Sequence, residues 1–210
     1  MSKIEEIALN VEKGKAKIVP KLVQEALDEG CKPEDILNVG MIGAMDVVGE
    51  KFKNNEIYVP EMLVAARAMK KGVEVLKPHL ANGAATELGT MILGTVKDDL
   101  HDIGKNLVGM MIESAGIRVI DLGIDVPIET FIAAVREHPE ATVVGCSALL
   151  TTTLASLKDT VQALNQIPER SRFKIMVGGA PVTEEFAKEI GADAYTADAA
   201  SAAKVAKELI

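Results

Sequence analysis

Residues 91–108 have the sequence MILGTVKDDLHDIGKNLV, and a change of pattern inside this stretch decides the fold. Residues 91–96 are an apolar run of strand length, and a polar turn follows over 97–102. From Ile103 onward, apolar residues recur at helical spacing. The stretch therefore predicts a strand, a loop and a helix. The loop contains His101, preceded by Asp99 and followed by Gly104.

The loop after a strand of a parallel sheet is the place where such folds bind ligands. A histidine there can offer one ring nitrogen to a ligand while a nearby carboxylate binds the other N–H and fixes the tautomer. Gly104 would let a bulky group approach the start of the helix closely. An ordinary loop histidine that helps to cap a helix is an equally good interpretation of this stretch alone.

The rest of the C-terminal half alternates between strand and helix patterns. Strands are predicted at 91–96, 117–121, 142–147, 173–177 and 193–196, and helices at 103–115, 128–137, 152–165, 182–190 and 199–209. This alternation predicts an α/β fold, a flavodoxin-like doubly wound five-stranded parallel sheet. Right-handed crossovers would place the loops after strands one, three and four on one edge.

The N-terminal part is predicted to be a four-helix bundle. Helical patterns cover residues 3 to about 82, with breaks at Gly14, Gly30 and Asn54-Asn55 and with the third helix continuous from Pro33 to Phe52. The methionines are expected to fill the core: Met41, Met45, Met62 and Met69. The predicted organisation is a helical domain over 1–82, a linker over 83–88 and an α/β domain over 89–210.

Composition excludes several classes of protein. The aromatic content is 3% and the net charge is −8, which argues against stacking on single-stranded nucleic acid and against a polyanionic partner. No apolar run reaches the length of a membrane span, and the charged N-terminus lacks the apolar segment of a signal peptide. We therefore expect a cytoplasmic protein without a nucleic-acid or membrane partner. The two cysteines predict no disulfide framework, and Cys146 is expected to be a small buried hydrophobe.

Three loops of the predicted sheet should line one slot. Asp99-x-His101-x-x-Gly104 follows strand one, Ser147-Ala148-Leu149 and Thr151-Thr152-Thr153 follow strand three, and Gly178-Gly179 follows strand four. Small hydroxyl groups can bind a buried polar ligand, and paired glycines let a ligand or a backbone pass closely. Taken singly, Gly178-Gly179 also suits an ordinary turn, and Ser147 suits a helix cap. Together they predict a long slot with a histidine at its mouth.

This combination of loops resembles the cobalamin-binding signature of base-off, His-on corrinoid proteins. The segments GAMDVVGEKF and YVPEMLVAARAMKKG are similar to the helical cap domain of cobalamin-dependent methionine synthase. The length and layout resemble the free-standing corrinoid proteins of methylamine, methanol and aromatic O-demethylase methyltransferase systems. The resemblance covers nearly the whole chain and makes residues 1–82 a cap domain and residues 89–210 a Rossmann-like cobalamin-binding domain.

The resemblance implies a role for individual residues. His101 would replace the cofactor's own base as the lower ligand of cobalt, Asp99 would bind its other ring nitrogen, and Thr153 would complete the relay where methionine synthase has a serine. Three further groups of residues are implied to contact the cofactor. The neighbours of His101 in this group are Asp102, Ile103 and Gly104. The nucleotide tail would be lined by Ser147, Leu149, Thr151, Gly178 and Gly179, and the upper corrin face would be covered by Phe52 and Val59.

The resemblance also implies a function. The chain would be a methyl carrier, a subunit rather than a stand-alone enzyme, holding cobalamin, as methylcobalamin or a related corrinoid, with its cobalt. Its partners would be a substrate:corrinoid methyltransferase, a second methyltransferase with a folate or thiol acceptor, and a reductive activase. The methyl donor is left open between methylamines, methanol and aromatic methyl ethers.

Three other classes of protein are alternatives to a methyl carrier, and each predicts a feature that can be checked in the sequence. The alternative, a cobalamin-dependent sensor or regulator, usually adds a DNA-binding domain and a Trp in the cap, and this sequence contains no Trp. The small subunit of a carbon-skeleton mutase would lack residues 1–82. A response-regulator-like signalling domain would need an aspartate after strand three, where this chain has Cys146-Ser147.

Overall fold

The computed structural model describes residues 2–79 and 88–210. Cα proximity divides the chain into two compact units, Met1–Thr86 with Ser114–Gly116, and Glu87–Glu113 with Ile117–Ile210. The linker predicted over 83–88 lies, except for Leu88, outside the described residues. The domain boundaries at 82 and 89 stay predictions.

The described part of the first unit is helical and contains five α-helices, of which the third and fourth are joined by residues 36–42 into one continuous segment. The helices are α1 (Lys3–Glu12), α2 (Val19–Asp28), α3 (Pro33–Asp35), α4 (Gly43–Lys53) and α5 (Val59–Leu76). Helix α1 begins with a capping box, in which the Ser2 hydroxyl accepts from the Glu5 N–H and the Glu5 carboxylate accepts from the Ser2 N–H. Pro33 occupies the first turn of α3, where its missing N–H costs nothing.

The third predicted helix is not a uniform α-helix. Residues Ile36–Ile42, between α3 and α4, form a π-helix. This wider segment still buries apolar side chains, and Gly40 lies against α1, where an added Cβ would come 3.4 Å from Ile4 and Ile7. Helical periodicity predicted the segment correctly as helical but with the wrong hydrogen-bond pattern.

Methionine fills the core of the first unit, as predicted. Met41 and Met62 are completely buried, and Met45 and Met69 are 5% exposed. At Gly72 of α5, an added Cβ would come 2.6 Å from the Met41 methyl group. The flexible thioether side chain therefore fills the space that the glycine leaves between the two segments.

The second unit is a parallel sheet with helices between its strands. The strands are β1 (Gly89–Thr95), β2 (Ile117–Asp121), β3 (Ala141–Ser147), β4 (Lys174–Gly178) and β5 (Ala194–Thr196). The helices are α6 (Ile103–Ser114), α7 (Ile128–Glu137), α8 (Leu154–Gln166), α9 (Glu184–Ile190) and α10 (Ala199–Leu209). The sheet order is β2-β1-β3-β4-β5 with every pair parallel, so the predicted flavodoxin-like fold is confirmed.

The central strands are buried on both faces, and small residues allow the layers to pack closely. Phe131 of α7 is completely buried, and an added Cβ at Gly94 of β1 would come 2.8 Å from its ring. Cys146 is 2% exposed, and burial raises the pKa of its thiol to about 12. The prediction that Cys146 is a buried hydrophobe is confirmed.

The register of the sheet brings three loops to one level. Thr95 of β1 pairs with Ser147 of β3, and Ser147 pairs with Gly178 of β4. These three residues are the last of their strands, and the strand order reverses between β1 and β3. The loops after β1, β3 and β4 therefore leave the same edge side by side, at the position where doubly wound folds bind ligands.

Within residues 2–79 and 88–210, no helix has both the length and the apolar character that a membrane span requires.

Candidate functional site

Asp99, in the loop after β1, is the centre of a buried hydrogen-bond network. Its side chain is fully buried. One carboxylate oxygen, Oδ1, accepts from His101 Nδ1 at 2.8 Å and from the His101 backbone N–H at 3.1 Å. The other, Oδ2, accepts from the Leu149 N–H and from the Thr153 hydroxyl, both at 2.7 Å. The predicted trio of Asp99, His101 and Thr153 is thus brought together.

The network fixes the charge of Asp99. Burial opposes ionisation, but the donors from Leu149, Thr153 and His101 outweigh it and hold the pKa of Asp99 at about 2. An ionised carboxylate can only accept hydrogen bonds, so the proton between the two side chains belongs to His101 Nδ1.

This tautomer leaves the other ring nitrogen, Nε2, with a free lone pair. The His101 side chain is 46% exposed although its partner Asp99 is fully buried. An imidazole held at Nδ1 by a carboxylate is the usual arrangement of a metal-binding histidine. The geometry therefore suits a ligand that approaches His101 from outside the sheet edge.

Exposed apolar side chains accompany His101 in the same loops. Ile103 is 85% exposed and Leu100 69% exposed, and Leu149 and Leu150 are 42% and 41% exposed. Apolar side chains at this edge suit a large ligand with apolar surface. Leu100 and Leu150 were missed by the sequence analysis, although an apolar residue in a polar loop was a usable signal.

The start of α6 is open around Gly104. An added Cβ at Gly104 would meet no atom within 4 Å, and Asp102 accepts a hydrogen bond from the Asn106 side chain at 3.1 Å. Thr151, on the neighbouring loop after β3, is exposed in the short 3-10 turn Thr151–Thr153 that precedes α8. These predicted contact residues are therefore accessible to a ligand.

Ser147 and Thr95 form a hydroxyl pair between β3 and β1. Their side-chain oxygens lie 2.9 Å apart, and Thr95 Oγ1 also donates to the His101 carbonyl at 3.0 Å. Ser147 does not cap the helix that follows, since the N-cap of α8 is Thr153, so the capping interpretation is wrong. Thr95 was missed because a strand threonine carries no functional signal.

The glycine pair after β4 has a structural reason of its own. Gly179 has a φ of +128°, and an added Cβ would overlap the carbonyl oxygen of Ala148. An added Cβ at Gly178 would come 3.1 Å from the Thr196 carbonyl oxygen. Of the two reasons predicted for such glycines, close passage of a backbone is the one observed at Gly179.

A buried lysine anchors the beginning of α6. The Lys105 side chain is 2% exposed, and its ammonium group lies 2.6 Å from Oδ2 and 2.7 Å from Oδ1 of Asp121 at the end of β2. Asp121 Oδ1 also accepts from the Gly123 N–H at 2.9 Å. The pair ties the helix that follows the histidine loop to the neighbouring strand. Sequence patterns did not predict this pair because the two residues lie on different elements.

The two predicted cap residues lie in the first unit. Phe52, near the end of α4, and Val59, at the start of α5, are both half-buried. Asn55, in the turn between them, has a φ of +60°. Their placement over a corrin face stays a prediction.

The donor set fits a metal that brings most of its own ligands. Among the described residues, no group of three or more His, Cys, Asp or Glu side chains is arranged to hold a metal ion. One accessible imidazole nitrogen, fixed from behind by a carboxylate, remains. A metal already bound within a macrocycle needs only such a single axial ligand from the protein.

Comparison with known proteins gives matches along the whole chain. Residues 89–205 match the B12 binding domain family, and residues 3–77 match a second family of the same description. Dimethylamine corrinoid protein 3 of Methanosarcina acetivorans is 42% identical over 99% of this chain and 96% of its own length. Trimethylamine corrinoid protein of Methanosarcina barkeri is 41% identical over 85% of this chain and 82% of its own length.

Solved structures agree with the sequence comparison. A cobalamin-binding protein from Desulfitobacterium hafniense is 29% identical, with a TM-score of 0.81 over 99% of this chain and 98% of that protein. A chain of the methanol:cobalamin methyltransferase complex from Methanosarcina barkeri is 30% identical, with a TM-score of 0.81 over 98% of this chain and 78% of its own.

Proposed function

This chain belongs to the corrinoid proteins of methyltransferase systems, which carry B12 binding domains, and from that membership we propose that it is a methyl carrier loaded with cobalamin. The observation that carries the proposal is the Asp99–His101 pair, in which a buried carboxylate holds Nδ1 and leaves Nε2 free at the edge of the sheet. His101 Nε2 would be the lower ligand of cobalt in a base-off, His-on complex.

The residues around His101 would orient and shield the corrinoid. Asp99 keeps the imidazole in the ligating tautomer, and Thr153 holds Asp99 from the opposite side. The exposed apolar side chains of Leu100 and Ile103 would cover apolar parts of the ring and exclude water. When bound, the corrinoid supplies a cobalt centre that accepts a methyl group from one molecule and gives it to another.

The other predicted cofactor residues keep their proposed roles. Ser147, Leu149 and Thr151 would line the pocket of the displaced nucleotide tail, and the open start of α6 at Asp102, Ile103 and Gly104 would face the ring. Gly178 and Gly179 would border the tail, and Phe52 and Val59 would cover the upper face.

Partner enzymes complete the proposal. The relatives described above are a dimethylamine corrinoid protein and a trimethylamine corrinoid protein, and one solved chain of similar structure belongs to a methanol:cobalamin methyltransferase complex. We therefore propose that a substrate:corrinoid methyltransferase loads this chain, that a second methyltransferase with a folate or thiol acceptor unloads it, and that a reductive activase restores its reduced state. We propose the cytoplasm as its compartment.

The experiment that tests His ligation uses protein reconstituted with cob(II)alamin. Electron paramagnetic resonance should show nitrogen coupling to cobalt, and the pattern should change when the protein is labelled with nitrogen-15 histidine. His101→Ala should abolish the coupling, whereas His138→Ala, which removes a half-buried histidine of the same unit, should leave it intact. A pattern that does not respond to the label would refute ligation by the protein.

Methyl transfer is tested separately. Reduced, cobalamin-loaded protein would be mixed with a methylamine, methanol or an aromatic methyl ether together with the methyltransferase that acts on that donor, and the visible spectrum would be followed. Methylation with one of these enzymes, but not without it, is the expected result. Protein that binds cobalamin and accepts a methyl group from none of them would contradict the carrier function while leaving the binding site intact.

A further inference from the structure

Thr95, the last residue of β1, lies between the histidine loop and Ser147. It is 1% exposed. Its backbone N–H donates to the Gly123 carbonyl and its own carbonyl accepts from the Val126 N–H, both at 3.0 Å, so the residue is fixed from two sides. Its hydroxyl oxygen lies 3.0 Å from the His101 carbonyl oxygen and 2.9 Å from Ser147 Oγ.

The protons of this chain can be arranged in two ways. A hydroxyl has one proton to donate, and a carbonyl oxygen can only accept. When Thr95 donates to the His101 carbonyl, Ser147 must donate to Thr95, and the Ser147 oxygen then offers only lone pairs to a ligand. When Thr95 instead donates to Ser147, the Ser147 proton is free for a ligand that accepts, and the His101 carbonyl loses its bond from Thr95.

We propose that Thr95 is a positioning residue. The type of group bound beside Ser147 decides whether the Thr95 hydroxyl donates to the backbone carbonyl of His101. The proposal rests on the proposed function, in which His101 ligates cobalt and Ser147 lines the nucleotide tail. A tail group that only accepts hydrogen bonds, such as an unliganded ring nitrogen of a benzimidazole base, draws the Ser147 proton and releases the His101 carbonyl. With a corrinoid that has no tail base, the hydrogen bond from Thr95 to the His101 carbonyl stays in place.

The coupling is local and has the size of one neutral hydrogen bond. The His101 carbonyl and the His101 ring belong to the same residue, so loss of the carbonyl bond loosens the backbone from which the imidazole extends. One neutral hydrogen bond corresponds to about a threefold to tenfold change in an equilibrium. The ratio of His-bound to His-free protein at a single pH should therefore differ by about threefold to tenfold between the two loaded forms.

The test compares cob(II)alamin with cob(II)inamide, which lacks the nucleotide tail. The His-bound fraction would be measured by nitrogen coupling at one fixed pH in the wild type, Thr95→Val and Thr95→Ser. The wild type should show a smaller His-bound fraction with cobalamin than with cobinamide. Thr95→Val should abolish this difference because no hydroxyl remains to change partners, and Thr95→Ser should restore it.

Two further variants keep the test decisive. Thr90→Val removes a hydroxyl from another buried threonine of β1 and should leave the difference unchanged. Ser147→Ala, which leaves Thr95 with only the His101 carbonyl, should abolish the difference and tests the proposal even where Thr95→Val fails to fold. A difference that persists in Thr95→Val or in Ser147→Ala, or is absent from the wild type, overturns the coupling. Absence of nitrogen coupling in every form instead refutes His ligation itself.

Discussion

Replacing Asp99 by Asn tests the network behind His101 most directly. All four groups that contact the carboxylate are donors: His101 Nδ1, the His101 N–H, the Leu149 N–H and the Thr153 hydroxyl. An amide offers one accepting oxygen and one donating NH₂ group, so half of the carboxylate's role is lost in either orientation. The substitution is therefore less conservative than its equal size suggests.

The two orientations of the new amide have different costs. If the NH₂ group faces Leu149 and Thr153, the Thr153 hydroxyl can turn to accept, but the part-buried Leu149 N–H loses its partner, at a cost of about 1–3 kcal/mol. If it faces His101, the ring must move its proton to Nε2 in order to accept at Nδ1. That tautomer cannot ligate a metal through Nε2.

We expect Asp99→Asn to lower the free energy of unfolding of the cofactor-free protein by about 2 kcal/mol, within the range for an unsatisfied buried donor. Loss of a residue that orients a ligating histidine typically costs about 10- to 100-fold in metal affinity or activity. The cofactor-loaded variant should also release His101 at a higher pH than the wild type. Urea unfolding and a visible-spectrum pH titration measure these effects.

The pH dependence of stability provides an independent check. The pKa of Asp99 is lowered from 3.8 to about 2, so folding favours the ionised form. Its contribution to stability is complete above about pH 4 and is lost as the pH falls toward 2. The stability difference between wild type and Asp99→Asn should therefore narrow over this interval in urea unfolding at pH 7, 4 and 3.

A matched control lies one residue away. Asp98 is exposed and has a φ of +67°, a conformation that Asn tolerates well. Asp98→Asn should change neither the unfolding free energy nor the midpoint of His101 release. If Asp99→Asn behaves like this control in both assays, the network does not hold His101, and Asp99 is an ordinary loop carboxylate.

Three further pairs of substitutions test other parts of the site. Gly104→Leu should leave the cofactor-free protein folded because an added Cβ meets open space, and it should weaken cobalamin binding at least tenfold in a spectral titration. Gln162→Leu, on an exposed face of α8, should leave the cobalamin affinity unchanged. Equal affinities of the two variants would place the corrinoid elsewhere. Gly179→Ala should lower the free energy of unfolding by about 2 kcal/mol in urea unfolding, and Gly178→Ala should lower it by less. Only Gly179 has a positive φ, and only there would an added Cβ overlap a backbone atom. The reverse order of the two losses would contradict this account. Asp121→Ala should lower the free energy of unfolding by about 1.5–3 kcal/mol, because it leaves the buried Lys105 ammonium with only the Asn106 side-chain oxygen as a partner. Lys105→Met should cost much less, because Asp121 is 47% exposed and can be solvated; equal losses would mean that burial of the lysine is not the cause.

The sequence predicted the elements whose side chains follow a regular period. The strands of the sheet and the helices between them were predicted within a few residues, because apolar residues alternate with turn residues throughout the second unit. The loop pattern predicted the pair of Asp99 and His101, and the family resemblance implied Thr153; the structure places both His101 and Thr153 within hydrogen-bond distance of Asp99. Their roles at cobalt stay predictions.

Features that depend on the backbone were missed. The Leu149 N–H that binds Asp99 leaves no trace in the type of side chain at position 149. The pattern at Gly179 suited either a ligand or a passing backbone, and only the family resemblance favoured the ligand, since the position of Ala148 depends on tertiary packing. The pairing of Lys105 with Asp121 depends on the order of strands and was equally invisible in the linear sequence.

The π-helix at Ile36–Ile42 has a consequence for how relatives of this chain are aligned. A π-helical turn holds one residue more than an α-helical turn, so a single residue can be gained or lost there while the flanking helices keep their inward faces. A one-residue gap within 36–42 would then mark a helix that has become regular, rather than a loop of different length. Asn38 and Val39 are the two exposed residues of this segment, so the loss of either one would disturb the core least.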